Sequence, residues 1–262
     1  MDNGVAIKNG GGIRALVTAL GVAVICALLV SYTAVTLRPY YIANLEAERD
    51  AQLASILSAL SGAAGRISSA DIEMRLVDLD SGAYTEALDP LTYDAGKAAT
   101  DPAMSRPIAP ELDLAGIKRR PNYAVAYIHR DQSGAVRMLI LPVYGVGYQS
   151  TLFGYLALSE DANSVLALKF YEQNDTPGIG ARIQDPAWEA MWPGKLVIDE
   201  DGNVRIGVAR GPVPAGSPDI DYVVDGISGA TRTSLGVHGL LRFWLGESGF
   251  GPYLARVRKG EG

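Results

Sequence analysis

Uncharged, mostly apolar side chains fill the first long segment of the chain. Residues 15–37 (ALVTALGVAVICALLVSYTAVTL) contain no charged residue and lie between Arg14 and Arg38. At a rise of about 1.5 Å per residue, a helix of this length spans about 34 Å, enough to cross a hydrocarbon core of about 30 Å. The pattern predicts a transmembrane helix over residues 14–38, preceded by a short arm at residues 1–13.

A cleaved secretory signal is the alternative interpretation of this run. The apolar part of such a signal has about 7–15 residues and is followed by small residues at the cleavage site. The run here is longer, and the next residues are Arg38-Pro39-Tyr40. Length and flanking sequence therefore favour an uncleaved anchor, with tyrosines at its end as in the aromatic belt of a membrane interface.

Beyond residue 38 the pattern of polar and apolar positions changes to that of one soluble domain over residues 39–262. Apolar residues recur at helical spacing between Leu45 and Leu60, with charged residues on the other side, so an amphipathic helix is expected there. Strand patterns follow at residues 74–84, 122–130, 135–144, 152–159 and 164–173, and a further hairpin is expected at residues 195–209. Residues 85–122 have weak periodicity and predict a surface excursion.

Two short helix signals complete the domain. Asp185 and Pro186 are typical of an N-cap and a first helical position, so residues 185–192 predict a short helix. A final helix is expected over residues 233–248. Many hairpins and few crossover helices favour an α+β fold, with an antiparallel sheet and helices packed on one face of it.

Composition excludes several classes of function. The chain has 262 residues and a formal net charge of −6, which argues against a nucleic-acid-binding protein, because Lys and Arg contacts to phosphates supply most of that affinity. With Cys26 as its single cysteine and His129 and His238 as its two histidines, the chain alone cannot form a disulfide, a four-cysteine cluster or a histidine-rich metal site. We expect no metal site, and no functional role for these three residues.

One small-residue segment carries candidate chemistry. A predicted strand ends at Asp225, and a loop containing Gly226 and Gly229 leads into the final helix. Glycines allow a ligand to approach the backbone closely, and a helix N-terminus favours a phosphate. Ordinary N-capping by Ser or Thr explains the same residues, and it is the more common reason for them at a helix start.

The segment resembles the flavinylation motif of the FMN-binding domain family, Asp-x-x-Ser-Gly-Ala-Thr. The matching residues are Asp225, Ser228, Gly229, Ala230 and Thr231, and Thr233 fits the usual continuation. The resemblance implies that FMN is attached to Thr231 through a phosphoester bond, made by a separate flavin transferase that takes the FMN moiety from FAD. It further implies that the other motif residues contribute to cofactor binding.

Three further segments extend the resemblance to the C subunits of the sodium-translocating NADH:quinone reductases. They are residues 144–154 (YGVGYQSTLFG), residues 172–180 (EQNDTPGIG) and residues 185–195 (DPAWEAMWPGK). With the single N-terminal apolar helix, the match runs from about residue 13 to residue 250. It implies an FMN-binding region at about residues 120–250, to which Tyr148, Thr176, Pro177, Gly178, Ile179 and Gly180 contribute.

The resemblance implies an electron-transfer subunit in a membrane-bound, sodium-pumping NADH:quinone oxidoreductase, without a catalytic residue of its own. Its expected partners are a second subunit with covalent flavin and membrane subunits that bear iron–sulfur centres. The expected location is the bacterial inner membrane, with one membrane pass and the soluble domain in the periplasm. Flanking charge does not decide the orientation, since Lys8 and Arg14 precede the helix and Arg38 and Arg49 follow it.

Two alternatives remain open from the sequence. One is the flavin subunit of the related ferredoxin:NAD oxidoreductases, and the other is a membrane-anchored binding domain without redox chemistry. The roles of two residues are also open. Asp225 either orders its loop or is recognised by the transferase, and Arg232 either pairs with the FMN phosphate or points to solvent.

Overall fold

The computed structural model describes residues 10–60 and 67–262 of the chain. Residues 1–9 of the predicted arm and residues 61–66 lie outside the described part. The chain divides into two compact units, residues 1–48 and residues 49–262.

The first unit contains most of a long helix, α1 (Gly10–Leu60). Its apolar side chains are exposed, from Leu16 at 70% to Leu37 at 60%, as expected for a surface that faces lipid. Among the described residues, this is the one helix long and apolar enough to cross a membrane. This supports the predicted membrane anchor. The separately predicted amphipathic helix falls inside the same α1, and Pro39, just past the end of the predicted span, is a helical residue.

A six-stranded antiparallel sheet forms the centre of the second unit. Its order is β2-β1-β5-β6-β7-β8, so the chain meanders through four neighbouring strands from β5 to β8. The strands are β1 (Ile72–Asp78), β2 (Tyr84–Thr85), β5 (Tyr123–Arg130), β6 (Val136–Val146), β7 (Thr151–Ser159) and β8 (Val165–Glu172). The antiparallel α+β prediction is confirmed.

Side chains alternate between the two faces of this sheet, and both faces are buried. One face packs against the end of α1, where Leu53, Ile56 and Leu60 are buried against residues of β5 to β8. The other face packs against α4 (Thr231–Leu245) and α5 (Gly251–Arg258). The prediction of helices on one face only was wrong, because the central strands have apolar residues at successive positions and therefore need cover on both sides.

The connections depart further from the sequence predictions. The excursion contains α2 (Ala95–Thr100) and the short pair β3 (Ser105–Pro107) and β4 (Arg119–Pro121). The hairpin expected at residues 195–209 is reduced to one bridge between Ile198 and Val204, because β9 (Gly207–Val208) pairs in parallel with β10 (Val223–Val224). Helix α3 (Pro186–Glu189) lies where a short helix was predicted, and the last predicted helix, α4, begins two residues earlier than expected.

Candidate functional site

Three segments of the second unit meet at a cleft of about 410 Å³. They are the turn after β6, the loop after β8 and the first turn of α4. The lining residues are Tyr148, Thr176, Ile179, Gly180, Gly229, Ala230, Thr231, Arg232 and Thr233. The cleft thus joins the three sequence segments that carry the predicted cofactor site, although they are far apart in the chain.

The first turn of α4 supplies one wall. Ala230 is the N-cap residue and makes no side-chain capping bond, while Thr231 is the first helical residue and is exposed. Gly229 has a φ of 80°, in the left-handed region that favours glycine. Since the first N–H groups of a helix have no partner within it, this wall presents donors and a positive dipole end beside the hydroxyl of Thr231.

The capping hypothesis does not account for the hydroxyl groups of this segment. Ser234 accepts a hydrogen bond from the N–H of Ile227 at 3.1 Å, which closes the loop onto the helix. Thr233 is buried, and its hydroxyl donates to Asp175. Thr231, in contrast, directs a short polar side chain to the surface, within the cleft.

The loop at residues 176–180 supplies the second wall. It begins with a tight turn in which the N–H of Ile179 donates to the carbonyl of Thr176 at 3.1 Å. Gly178 has a φ of 73°, and a side chain at Gly180 would lie 2.7 Å from both the Asp175 side chain and the Thr233 hydroxyl. The loop therefore packs closely against α4 and leaves the Ile179 side chain 44% exposed at the cleft.

Asp175 connects all three segments, a role that sequence reasoning missed. Its carboxylate, only 3% exposed, accepts the Thr233 hydroxyl at 2.6 Å. It also accepts the backbone N–H groups of Tyr148, Gln149 and Ser150 at 3.2, 2.9 and 3.2 Å, and the Ser150 hydroxyl at 3.2 Å. A charged carboxylate is rarely buried unless it is paired or hydrogen-bonded, and these contacts account for its burial.

The ionisation of Asp175 follows from these contacts. Burial by itself raises the pKa of this carboxyl, but the hydrogen bonds from Thr233 and from the backbone N–H groups of Gln149 and Tyr148 outweigh burial and leave the pKa below its ordinary value. Asp175 is therefore a carboxylate at neutral pH, held by neutral donors directly beneath the cleft.

An aromatic ring and a cation meet at the mouth of the cleft. The guanidinium of Arg232 lies 5.3 Å from the centre of the Tyr148 ring, and the ring is 51% exposed. This is within the range of a cation–π contact. The Arg232 side chain therefore lies at the mouth of the cleft and does not extend freely into solvent.

Other predicted residues lie outside the cleft lining. The Asp225 carboxylate accepts the N–H of Val213 at 2.7 Å, and its carbonyl accepts the indole N–H of Trp188 at 3.0 Å, so Asp225 orders neighbouring loops. Ser228 is exposed, and Pro177 and Gly178 form the back of their turn. Tyr144, the first residue of the 144–154 segment, packs on Trp244 in the core.

The residues of the cleft fit a phosphate-bearing aromatic ligand such as FMN. The end formed by α4 offers a helix N-terminus, a threonine hydroxyl and the Arg232 guanidinium, which are suited to a phosphate. Tyr148 and Ile179 offer exposed apolar surface suited to a flat ring, and the glycines leave room for close approach. The volume lies within the usual range of small-molecule sites, about 300–1,000 Å³.

Comparison with known proteins gives sequence matches over most of the chain. Residues 147–246 match the FMN-binding domain family. Over 253 residues the chain is 40% identical to the C subunit of the Na(+)-translocating NADH-quinone reductase of Pseudomonas aeruginosa, covering 95% of this chain and 97% of that protein. The corresponding protein of Vibrio alginolyticus is 38% identical over 258 residues, covering 98% and 99%.

A solved structure agrees with these matches. The crystal structure of NqrC from Shewanella oneidensis superimposes with a TM-score of 0.71 at 30% sequence identity. The match covers 83% of this chain and 99% of that one. Fold and sequence therefore point to the same relatives.

Proposed function

This chain belongs to the family of the C subunits of Na(+)-translocating NADH-quinone reductases, and from that membership we propose that it is an electron-transfer subunit that bears FMN covalently on Thr231. The observation that supports the attachment site best is the exposed Thr231 at the first position of α4, inside a cleft that Gly229 and Ala230 of the same motif also line. When bound, FMN supplies one-electron transfer between the neighbouring centres of the complex.

The attachment chemistry is a transfer catalysed by a separate flavin transferase. The Thr231 oxygen forms a bond to the FMN phosphorus of FAD, the bond between that phosphorus and the AMP oxygen breaks, and AMP leaves while the hydroxyl loses its proton. The exposure of Thr231 supports this step, because a second active site has to reach the hydroxyl. The Arg232 guanidinium and the α4 N-terminus are suited to neutralise the phosphate afterwards.

Domain organisation and location belong to the same proposal. Residues 14–38 span the bacterial inner membrane once, and residues 39–262 form the soluble domain, on the periplasmic side where an exported transferase acts. The partners are the other subunits of a sodium-pumping complex, namely a second subunit with covalent flavin and membrane subunits with iron–sulfur centres. The exposed apolar side chains of α1 support the anchor.

Two variants at one position test the attachment. The full chain is expressed together with the transferase and run on a denaturing gel under ultraviolet light. Wild type and Thr231→Ser keep a hydroxyl and are expected to give a fluorescent band, whereas Thr231→Ala is expected to lose it, with an intact mass lower by one FMN moiety. A fluorescent Thr231→Ala band would contradict the assignment.

Orientation is tested separately. An alkaline phosphatase fused after Gly262 folds actively only outside the cytoplasm, so it is expected to be active. Activity of a cytoplasmic reporter at the same point, with an inactive phosphatase, would reverse the proposed topology.

A further inference from the structure

Asp175 is the one buried carboxylate that joins all three walls of the cleft in the described part of the chain. The groups that donate to its carboxylate are divided between the β6 turn on one side and α4 on the other. Its own N–H donates to the Gln173 side chain at 2.7 Å, which fixes the start of the 176–180 loop. Each wall is a loop or a helix end, so their common arrangement depends on this residue.

The distances place its charge next to the cleft. Tyr148 and Thr233 line the cleft and both donate hydrogen bonds to the carboxylate, and Gly180, also in the lining, packs against the Asp175 side chain. The carboxylate therefore lies one residue layer beneath the cleft surface. Little water separates it from a bound ligand, so its field is screened less than that of a surface charge.

We propose that Asp175 is a positioning residue that holds the three walls of the cleft in one arrangement and whose negative charge lowers the midpoint potential of the flavin bound there. The inference rests on the proposed function, because it concerns the flavin assigned to this cleft. The physical reason is Coulombic: reduction adds negative charge to the bound group, and a fixed carboxylate beneath it disfavours that change.

The test compares three variants of the full, flavin-bearing chain by redox titration of the flavin absorbance. Asp175→Asn keeps the size of the side chain and removes its charge. Thr233→Val keeps the charge and removes the 2.6 Å hydrogen bond. Asp185→Asn is the matched control, since Asp185 follows shortly after Asp175 in the chain but is half exposed and pairs with Arg182 away from the cleft lining.

We expect the midpoint potential to become more positive in Asp175→Asn than in Thr233→Val, which retains the charge, and to stay close to wild type in Asp185→Asn. A merely structural role would give equal shifts in Asp175→Asn and Thr233→Val. Such equal shifts, or an unchanged potential in Asp175→Asn, would overturn the inference while the proposed function stands. A wild-type chain without flavin would overturn both.

Hydrogen exchange covers the case in which Asp175→Asn does not fold. In the flavin-free Thr231→Ala background, Thr233→Val is expected to speed amide exchange at residues 148–150, whose N–H groups share the carboxylate with Thr233. The same exchange rates with and without the Thr233 hydroxyl would show that the walls are held independently and would overturn the positioning role.

Discussion

The two faces of the central sheet are covered in different ways. The face toward α1 is filled by side chains alone: Leu53, Ile56, Leu57 and Leu60 pack on residues such as Tyr155. On the opposite face, α4 comes into direct contact with backbone at two places, the end of β6 and the loop between β3 and β4. A side chain at Gly236 would lie 2.5 Å from the Val146 carbonyl oxygen, and one at Gly239 would lie 2.1 Å from that of Leu114.

This difference explains why the site lies on one face only. Side-chain packing keeps a helix at a distance set by its side chains, whereas glycine lets the helix backbone come into direct contact with the neighbouring chain. Contacts of this kind at Gly236 and Gly239 hold α4 in place. The first turn of α4 therefore lies close enough to the β6 turn for both to donate hydrogen bonds to the carboxylate of Asp175. Packing on the α1 face mainly stabilises the fold, whereas packing on the α4 face sets the positions of the cleft residues.

The largest effect on stability is expected on the α1 face. Ile56 is fully buried against the sheet, so Ile56→Ala should lower the free energy of unfolding by about 2–5 kcal/mol, the usual cost of the lost contacts and the cavity. Flavin attachment should persist, since the cleft is on the other face. Urea unfolding of the full chain in detergent and in-gel fluorescence measure the two quantities.

The control for this variant is Leu112→Ala, at a side chain that is 57% exposed. A surface change of this kind should alter stability by no more than about 0.5 kcal/mol. If Ile56→Ala lost flavin attachment while it was still folded, the two faces would be coupled and the comparison would fail.

Gly239→Ala is expected to lower stability less than Ile56→Ala does, but to disturb the flavin site more. In an unobstructed helix this change would stabilise by about 1 kcal/mol. Here the new methyl group meets the Leu114 carbonyl, and we expect a net loss of about 1–3 kcal/mol together with weaker flavin fluorescence.

Leu235→Ala, on the exposed side of the same helix, serves as the matched variant and should leave both quantities near wild type. A gain of stability in Gly239→Ala would show that α4 is not held by backbone contact. Thermal unfolding and fluorescence of the same samples decide between these results.

Much of this architecture follows from sequence pattern. Apolar runs separated by turn signals predicted the strands β5 to β8, and the helical repeat ending at Leu60 predicted the helix that covers one face. The 195–209 hairpin is present only next to its turn, at Ile198 and Val204, because local turn signals do not reveal that β9 pairs with β10, a contact made across about 16 residues. Helix α5 was missed, since it begins Gly251-Pro252 and is only eight residues long.

The segments that form the site could be predicted from the sequence, but their arrangement in space could not. The sequence motifs indicated Thr231, Thr176 and Tyr148 as site residues, and the fold brings these residues to one cleft. The role of Asp175 depends on hydrogen bonds across 25 to 58 positions of sequence, which no local pattern encodes. The glycines of α4 were the neglected signal, because two glycines three residues apart on a helix indicate a close backbone approach.

A pH-dependent effect separates Asp175 from its neighbours. The pKa of Asp175 is lowered in the folded chain, so its contribution to stability is present above the ordinary Asp pKa of about 3.9 and is lost as the pH falls below that value. The melting temperature of Asp175→Asn should therefore lie below that of wild type at a pH of about 6 and approach it at a pH of about 3.

His238 does not disturb this comparison. Burial, together with the nearby Arg242, lowers the pKa of His238, so the folded chain loses stability as the pH falls below the ordinary His value of about 6.5. This loss is common to wild type and Asp175→Asn and cancels in their difference. A difference in melting temperature that stayed constant with pH would contradict the assigned ionisation of Asp175.

The smallest expected effect concerns the contact between Arg232 and Tyr148 at the mouth of the cleft. An exposed cation–π pair contributes about 0.5–1 kcal/mol, and a double-mutant cycle with Arg232→Gln and Tyr148→Leu in the flavin-free Thr231→Ala background should give a coupling energy in that range. A phosphate on Thr231 would lie next to Arg232 in sequence and would accept charge-assisted hydrogen bonds, which are stronger than contact with an aromatic face. In the flavin-bearing chain we therefore expect the coupling to fall toward zero as the guanidinium turns from the ring to the phosphate. Equal coupling in both backgrounds would show that Arg232 stays on Tyr148 and takes no part in holding the phosphate.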